Sequence, residues 1–309
     1  MSIRVMVVGL PYFCERIFER HSAVEGVEFF NLAIRDDAGA LRKAWSFIKR
    51  LLQVRQYDAI YSIWGGTGLA GCLMVLVANL LGKKIVLHWV GSDVVLLNRR
   101  PLRGLRTAIL KQAKHWCECE WIKSELNGLS IKAEIVDLVV LRSDIRYQRP
   151  GQDAPIRVLS YVMQGKEEFY GLPKLLELAA VIPQAEFHIV GCAHSAPLVN
   201  VFFHGWVDDM QEWYRRSHMY LRLVQHDGLA FSVIEALAYG CVVFYSYDLP
   251  GVYRYESVGQ FVACYEELIN EHSLRGRGSD VSGRVIARYS RDAVVRRMAR
   301  TMEGLVREY

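Results

Sequence analysis

Val224-Gln-His-Asp-Gly-Leu-Ala-Phe-Ser-Val-Ile-Glu235, continued by Ala-Leu-Ala-Tyr-Gly240-Cys-Val-Val-Phe, is the stretch on which the reading of this chain turns. An apolar strand leads into it and leaves Asp227 at the strand's end. A glycine follows, and a second acid, Glu235, comes eight positions on inside a helical pattern. With a helix starting near Gly228, Glu235 lies roughly two turns from that start, so the two carboxylates reach different parts of one elongated ligand. Between them the N–H groups of Gly228, Leu229, Ala230 and Phe231 open the helix and form a site for a phosphate or another anion. Such an arrangement suits a sugar nucleotide. The alternative is an acidic N-cap at Asp227 followed by an ordinary helix-surface Glu235.

Working outward, 309 residues are long for one core and suit two domains. A hydrophobic content of 52% with 23% charged residues describes a folded chain rather than a disordered one. Seven scattered cysteines, at 14, 72, 117, 119, 192, 241 and 264, make no disulfide framework and point to a reducing cytosol. Cys117-Glu-Cys119 stands alone, whereas a zinc site needs about four ligands, and no metal or cofactor is expected. The opening Ile3–Val8 reads as a strand and not as a secretory signal. The apolar run Leu69–Leu81 is shorter than the roughly 20 residues of a membrane span and reads as a helix buried beside a sheet.

Apolar runs alternate with helical patterns almost throughout, which implies parallel sheets covered by helices. In the first half strands are expected near Arg4–Val8, Val27–Asn31, Ala59–Ile63, Lys84–Trp89 and Glu134–Val139. Helices are expected near Tyr12–His21, Ala40–Gln53, Gly68–Leu81 and Leu102–Ala113. Arg149-Pro-Gly-Gln-Asp-Ala-Pro155 is the break between domains, after which the strand-helix pattern restarts at Arg157–Tyr161. The final run, Val281–Glu308, contains a long helix with basic residues. The expected organisation is a first Rossmann-like domain over 1–150, a second over 151–285, and a terminal helix over 286–309.

The 224–243 segment resembles the signature of the retaining GT-B glycosyltransferases of family 4: Glu-Gly-Phe-Gly, a few apolar residues, Glu-Ala, then a small residue and Gly. Asp227 stands for the first Glu and Ala230 for the second Gly, while Glu235-Ala236 and Tyr239-Gly240 fall at the corresponding places. The resemblance implies a GT-B fold, two doubly wound domains facing a cleft, with the terminal helix crossing back to the first domain. It implies sugar transfer from a nucleoside-diphosphate sugar to a carbohydrate or lipid-linked acceptor, with retention and without metal. Asp227 would lie by the donor sugar and Glu235 on the ribose hydroxyls.

Arg222 sits in Tyr220-Leu-Arg-Leu-Val224, a strand expected to be buried, where a charge is costly unless paired or placed at an open site. With His226 it is directed at a diphosphate or at Asp227; the alternative is an arginine on an edge strand or salt-bridged to a helix. The resemblance places an Arg and a Lys for the diphosphate just after the second domain's first strand. Here Lys166 is the one nearby cation, and Tyr170-Gly171 replaces the usual Lys-Gly. Leu87-His88-Trp-Val-Gly91-Ser-Asp93 resembles a His-Gly-Thr-Asp loop facing the cleft, which makes His88 and Asp93 catalytic-side candidates, although Trp89-Val90 separate the His from the Gly. Gly9, after the first strand, offers close approach to a ligand.

Two rival readings have their own signals. Gly66-Thr-Gly68-Leu-Ala-Gly71 fits G-x-G-x-x-G before a helix, the mark of an NAD-linked oxidoreductase, but belongs to the third strand-helix step of the domain. The other is a GT-B-like binder of sugar nucleotides that does not catalyse. Charge adds a partner: residues 1–150 hold 22 Lys/Arg against 14 Asp/Glu. Leu41–Leu52 mixes cations with Trp45, Phe47 and Ile48, and Asn98–Arg103, Arg106, Lys111 and Lys114 add more positive charge. Peripheral docking on an anionic membrane surface, on the cytoplasmic side, is one expectation, and a solvated helix with its apolar side on the sheet is the other. Nucleic acid is not expected, because no binding module accompanies the charge.

Overall fold

The computed structural model describes residues 2–33, 39–64, 66–147, 155–195, 198–270 and 277–307, so most of the expected 149–155 break lies outside the described residues. The chain forms two compact units. The first comprises Met1–Val140, Asp227–Leu229 and Arg291–Tyr309; the second comprises Leu141–His226 and Ala230–Ser290.

In the first unit seven strands form one sheet. They are β1 (Ile3–Gly9), β2 (His21–Val24), β3 (Val27–Asn31), β4 (Ala59–Ile63), β5 (Lys84–Trp89), β6 (Lys114–Cys117) and β7 (Glu134–Ile135), in the order β2-β3-β1-β4-β5-β6-β7. Only β2 runs antiparallel, against β3. Every residue of β4 is buried, as a parallel strand covered on both faces requires. The helices are α1 (Pro11–Ile17), α2 (Ala40–Gln53), α3 (Leu69–Leu80), α4 (Ser92–Arg99), α5 (Arg103–Leu110) and α6 (Glu120–Gly128).

The helix expected to run to His21 stops at Ile17, because His21–Val24 is recruited into a hairpin. Its two-residue turn, Glu25 (φ 50°) and Gly26 (φ 81°), carries positive φ at both positions, the condition for a tight turn matched to strand twist. The sequence reading assigned neither α4, β6 nor α6. All three are short, and tertiary packing rather than periodicity decides them.

The second unit holds β8 (Arg157–Tyr161), β9 (Glu186–Val190), β10 (Val201–Phe203), β11 (Met219–Arg222), β12 (Val242–Tyr245) and β13 (Tyr253–Arg254). All are parallel, in the order β10-β9-β8-β11-β12-β13. Counted along the unit this is 3-2-1-4-5-6, the dinucleotide-fold order, whose direction reverses between β8 and β11. Its helices are α7 (Leu172–Val181), α8 (Met210–Arg216), α9 (Phe231–Tyr239), α10 (Val258–Asn270) and α11 (Arg277–Tyr289).

The run Val281–Glu308, expected to contain a long basic helix, holds the end of α11 and the whole of α12 (Arg291–Arg307), with Glu308 outside the described residues. The break is at Ser290, which bridges to Leu141 while the Leu141 N–H takes the Tyr289 carbonyl at 2.8 Å. α12 belongs to the first unit and buries Val294, Val295, Met298, Ala299 and Met302 there. Arginines fix its outer side: Arg291 to the Ile17 carbonyl (2.9 Å), Arg297 to Asp137 (2.9 Å), and Arg300 to Glu25 through two bonds of 2.7 and 3.0 Å.

Candidate active site

Ligands of open parallel sheets bind beyond the carboxyl ends of the strands, where the strand order reverses. In the second unit that point lies between β8 and β11, and the predicted cation is there. Arg222, the last residue of β11, is 8% exposed, and its guanidinium lies 5.0 Å from the centre of the Tyr170 ring. The Tyr170 ring meets Tyr161, the last residue of β8, edge to face. A buried charge is thus given an aromatic face to rest on. Tyr170 is the residue standing where the family pattern has Lys, so the departure from that pattern has a structural use.

The loop after β8 is held by its neighbours. The Gln164 N–H donates to the Gly191 carbonyl at the end of β9 (3.1 Å), and the Gln164 side chain accepts from the Ala193 N–H (2.9 Å). The Gln225 N–H donates to the Phe169 carbonyl (2.9 Å), tying the loop after β11 to the one after β8. Gly171 is required here: its φ is +75°, and a Cβ would stand 2.2 Å from the Leu223 carbonyl oxygen. The Lys166 side chain is exposed on this loop, and His226 is half-buried after β11.

The signature helix starts later than expected. Ala230 is the N-cap of α9 and Phe231 its first residue, which puts Glu235 about one turn inside the helix rather than two. Gly228 and Leu229 precede the helix, and the Leu229 N–H is taken by Glu118. Glu235 is half-buried and accepts a hydrogen bond from the Tyr214 hydroxyl (3.2 Å), itself on α8. Burial and the Glu235 charge hold the Tyr214 hydroxyl well above its ordinary value, so it remains a donor.

The remaining candidates lie in the first unit. The Trp121 indole donates to the Asp227 carbonyl (2.9 Å), and a Cβ on Gly228 would fall 2.2 Å from the Val90 carbonyl oxygen. A Cβ on Gly91 would in turn meet the Gly228 nitrogen at 2.7 Å, so each glycine exists for the other's backbone. Asp93 is 1% exposed at the start of α4, and its carboxylate accepts from the N–H groups of Val90 (3.1 Å) and Val94 (3.1 Å). Burial pushes its carboxyl up to about 7 against those same hydrogen bonds.

Glu118, which the sequence reading did not single out, is 4% exposed at the end of β6 and has one oxygen with no hydrogen-bond partner. Burial, then the charges of Asp93 and Asp227, push its carboxyl well above the carboxylate range. No spacing signal marked it; only the fold brings Asp93, Glu118 and Asp227 together.

His88 is the remaining catalytic-side candidate. It is fully buried, with Nδ1 hydrogen-bonded to the Tyr61 hydroxyl (2.6 Å) and its ring edge-on to Trp116. Burial lowers its pKa to about 3 and keeps the ring neutral. Gly9 approaches protein rather than open space, for a Cβ there would stand 1.8 Å from the Ile63 carbonyl oxygen. Gly66 and Gly71 meet each other in the same way, a Gly71 Cβ lying 2.0 Å from the Gly66 carbonyl oxygen. That mutual contact accounts for Gly66 and Gly71 without a dinucleotide. A recess of about 1250 Å³ opens at the opposite, amino ends of the first unit's strands, between Asp58, Lys84, Lys114, His115 and Glu134, and none of the candidates lines it.

Residues 167–266, which contain Tyr170, Arg222 and Glu235, match the family model described as Glycosyl transferases group 1. The chain carries a group 1 glycosyltransferase domain. Comparison of the sequence with curated proteins gives no match. Solved structures similar to this glycosyltransferase include Anabaena HepE in complex with UDP and glucose, with a TM-score of 0.70 at 11% identity over 98% of this chain and 100% of that one. Sucrose-phosphate synthase from Thermosynechococcus elongatus gives 0.66 at 13% identity, over 98% and 99% of the two chains. The apo form of the lipopolysaccharide outer core galactosyltransferase WaaB gives 0.64 at 13% identity, over 97% and 100%. At these identities the likeness is one of fold, and it extends over the whole GT-B architecture of the glycosyltransferase.

Proposed function

We propose that this glycosyltransferase transfers a sugar from a nucleoside-diphosphate sugar to a carbohydrate or lipid-linked acceptor, with retention at the anomeric carbon and without a metal. The observation that carries the reading is Arg222: a buried guanidinium at the strand-order reversal, seated on Tyr170, within the segment that matches the family. Departure of a nucleoside diphosphate needs positive charge already in place, and Arg222 with Lys166 supplies it through preorganised electrostatics. Glu235, oriented by Tyr214, accepts from the ribose hydroxyls, and Asp227 serves the donor sugar. Asp93 acts as a positioning residue by fixing the Val90–Val94 turn. UDP in the HepE structure favours a uridine diphosphate donor. All seven cysteines are free, in keeping with a reducing cytosol, and no described helix is long and apolar enough to cross a membrane. The cationic surplus of residues 1–150 favours action at an anionic membrane surface.

Calorimetric titration with UDP, GDP, ADP and NAD, on the wild type and on Glu235→Ala, tests the donor site. A micromolar response to one nucleoside diphosphate that the substitution abolishes is expected. Binding of NAD alone, indifferent to Glu235, would overturn it. Donor binding with neither hydrolysis nor transfer across an acceptor panel would leave a sugar-nucleotide binder without catalysis.

A further inference from the structure

α2, α3 and α5 lie on the same face of the first unit's sheet, α3 touching both of the others. Their inner sides enter one core: Phe47 and Leu51 from α2, Val75 and Ala78 from α3, Leu110 from α5. Their outer sides therefore point away from the sheet together, and those sides are not polar. On α2, Leu41, Trp45, Ile48 and Leu52 follow one helical stripe and are 89%, 69%, 47% and 75% exposed. On α3, Leu69, Leu73, Leu76 and Leu80 repeat the same spacing at 75%, 43%, 42% and 85%. Leu102 and Leu105, at the start of α5, extend the face at 70% and 60% exposure. The helix expected to be buried beside the sheet is thus buried on one side only. Ten large apolar side chains in three adjacent rows exceed what a soluble surface leaves uncovered.

We infer that this three-helix face is a membrane-docking surface that rests in the interfacial region of a bilayer containing anionic lipid. The cations among the apolar rows select that occupant. Arg42 and Lys49 flank the α2 stripe, and Arg99, Arg100 and Arg103 stand exposed beside Leu102 and Leu105. Protein-protein interface cores are depleted in Lys, whereas a bilayer interface takes leucines and a tryptophan with Lys and Arg reaching to the headgroups. The face is held rigid for this use: the buried Arg106 binds the Pro101 carbonyl (2.9 Å) and the Thr67 carbonyl (3.1 Å), tying the 101–102 turn to the start of α3. The observations here are independent of the sugar-transfer reading.

Flotation of the full chain with phosphatidylcholine vesicles, with and without phosphatidylglycerol, tests the inference. Binding is expected only with phosphatidylglycerol present. Leu73→Glu with Leu76→Glu, and separately Arg42→Glu with Lys49→Glu, are each expected to weaken it at least about tenfold, since a cation near an anionic surface contributes about 1 kcal/mol. Both pairs are at exposed positions, so thermal melting is expected to stay at the wild-type temperature. No flotation with either vesicle, or flotation untouched by both pairs, would overturn it. So would a dimer in solution that Leu73→Glu with Leu76→Glu dissociates, which would assign the face to a second copy of the chain.

Discussion

Arg222 and Tyr170 show how a single residue is made affordable where charge is normally excluded. The strand carries the guanidinium into a buried position, and the ring of a neighbouring loop supplies a negative face. Arg222→Ala is expected to weaken nucleoside-diphosphate binding roughly tenfold to a hundredfold, since a charge-assisted hydrogen bond is worth about 1.5–3 kcal/mol. Tyr170→Phe keeps the ring and is expected to bind as the wild type does, while Tyr170→Ala weakens binding; calorimetry reads all three. Asp93 makes a prediction in pH. Its carboxyl moves from an ordinary 3.8 to about 7 in the folded chain, so between these values the folded state holds the proton more tightly than the unfolded state. Its stabilising contribution is complete below about 4 and is lost as pH rises towards 7. Asp93→Asn cannot titrate, so the variant is expected to gain on the wild type across that window. Urea unfolding at pH 5, 6 and 7 checks this, and parallel curves would sink it.

Elements explain why some of this was legible in the sequence and some was not. β4, β5 and β8 have the bounds expected from the sequence, because these interior strands are largely apolar and buried, and burial is written directly into their residues. The loop after β8 carries no such record. Arg222 stands out as a charge in an apolar strand, whereas its platform Tyr170 and the Glu118 oxygen become visible only once distant loops are brought together. Nothing in the local sequence marks the later start of α9, for Ala230 caps it in extended backbone without a side-chain hydrogen bond. Gly171 gives the corresponding test. Gly82 shares its positive φ, 64° against 75°, but a Cβ at 82 meets nothing within 4 Å. Gly82→Ala therefore carries backbone strain alone, about 1 kcal/mol, whereas Gly171→Ala must also displace the Leu223 carbonyl and is expected to cost about 1–3 kcal/mol more. Equal urea midpoints for the two variants would refute the steric account.

At the scale of the whole molecule the two units are built from the chain in different ways. The second is nearly continuous: every one of its strands and helices lies between residues 141 and 290. The first is assembled from three segments, and its last helix, α12, is made only after the second unit is complete. α12 covers β2 and β3 with Val294, Val295, Met298 and Met302, all at 5% exposure or less. Burying four such side chains is worth about 6–12 kcal/mol, which is on the order of the entire stability of a domain. The exposed ion pairs of Arg291 and Arg300 add register more than energy. A fragment of residues 141–290 is therefore expected to melt cooperatively by circular dichroism. A fragment of residues 1–140 is expected to melt without a sharp transition and to bind a hydrophobic dye, until a peptide of residues 291–309 is added and the dye is released. A sharp, dye-free transition from residues 1–140 alone would mean that the core closes without α12, and that the helix serves something other than the stability of the first unit.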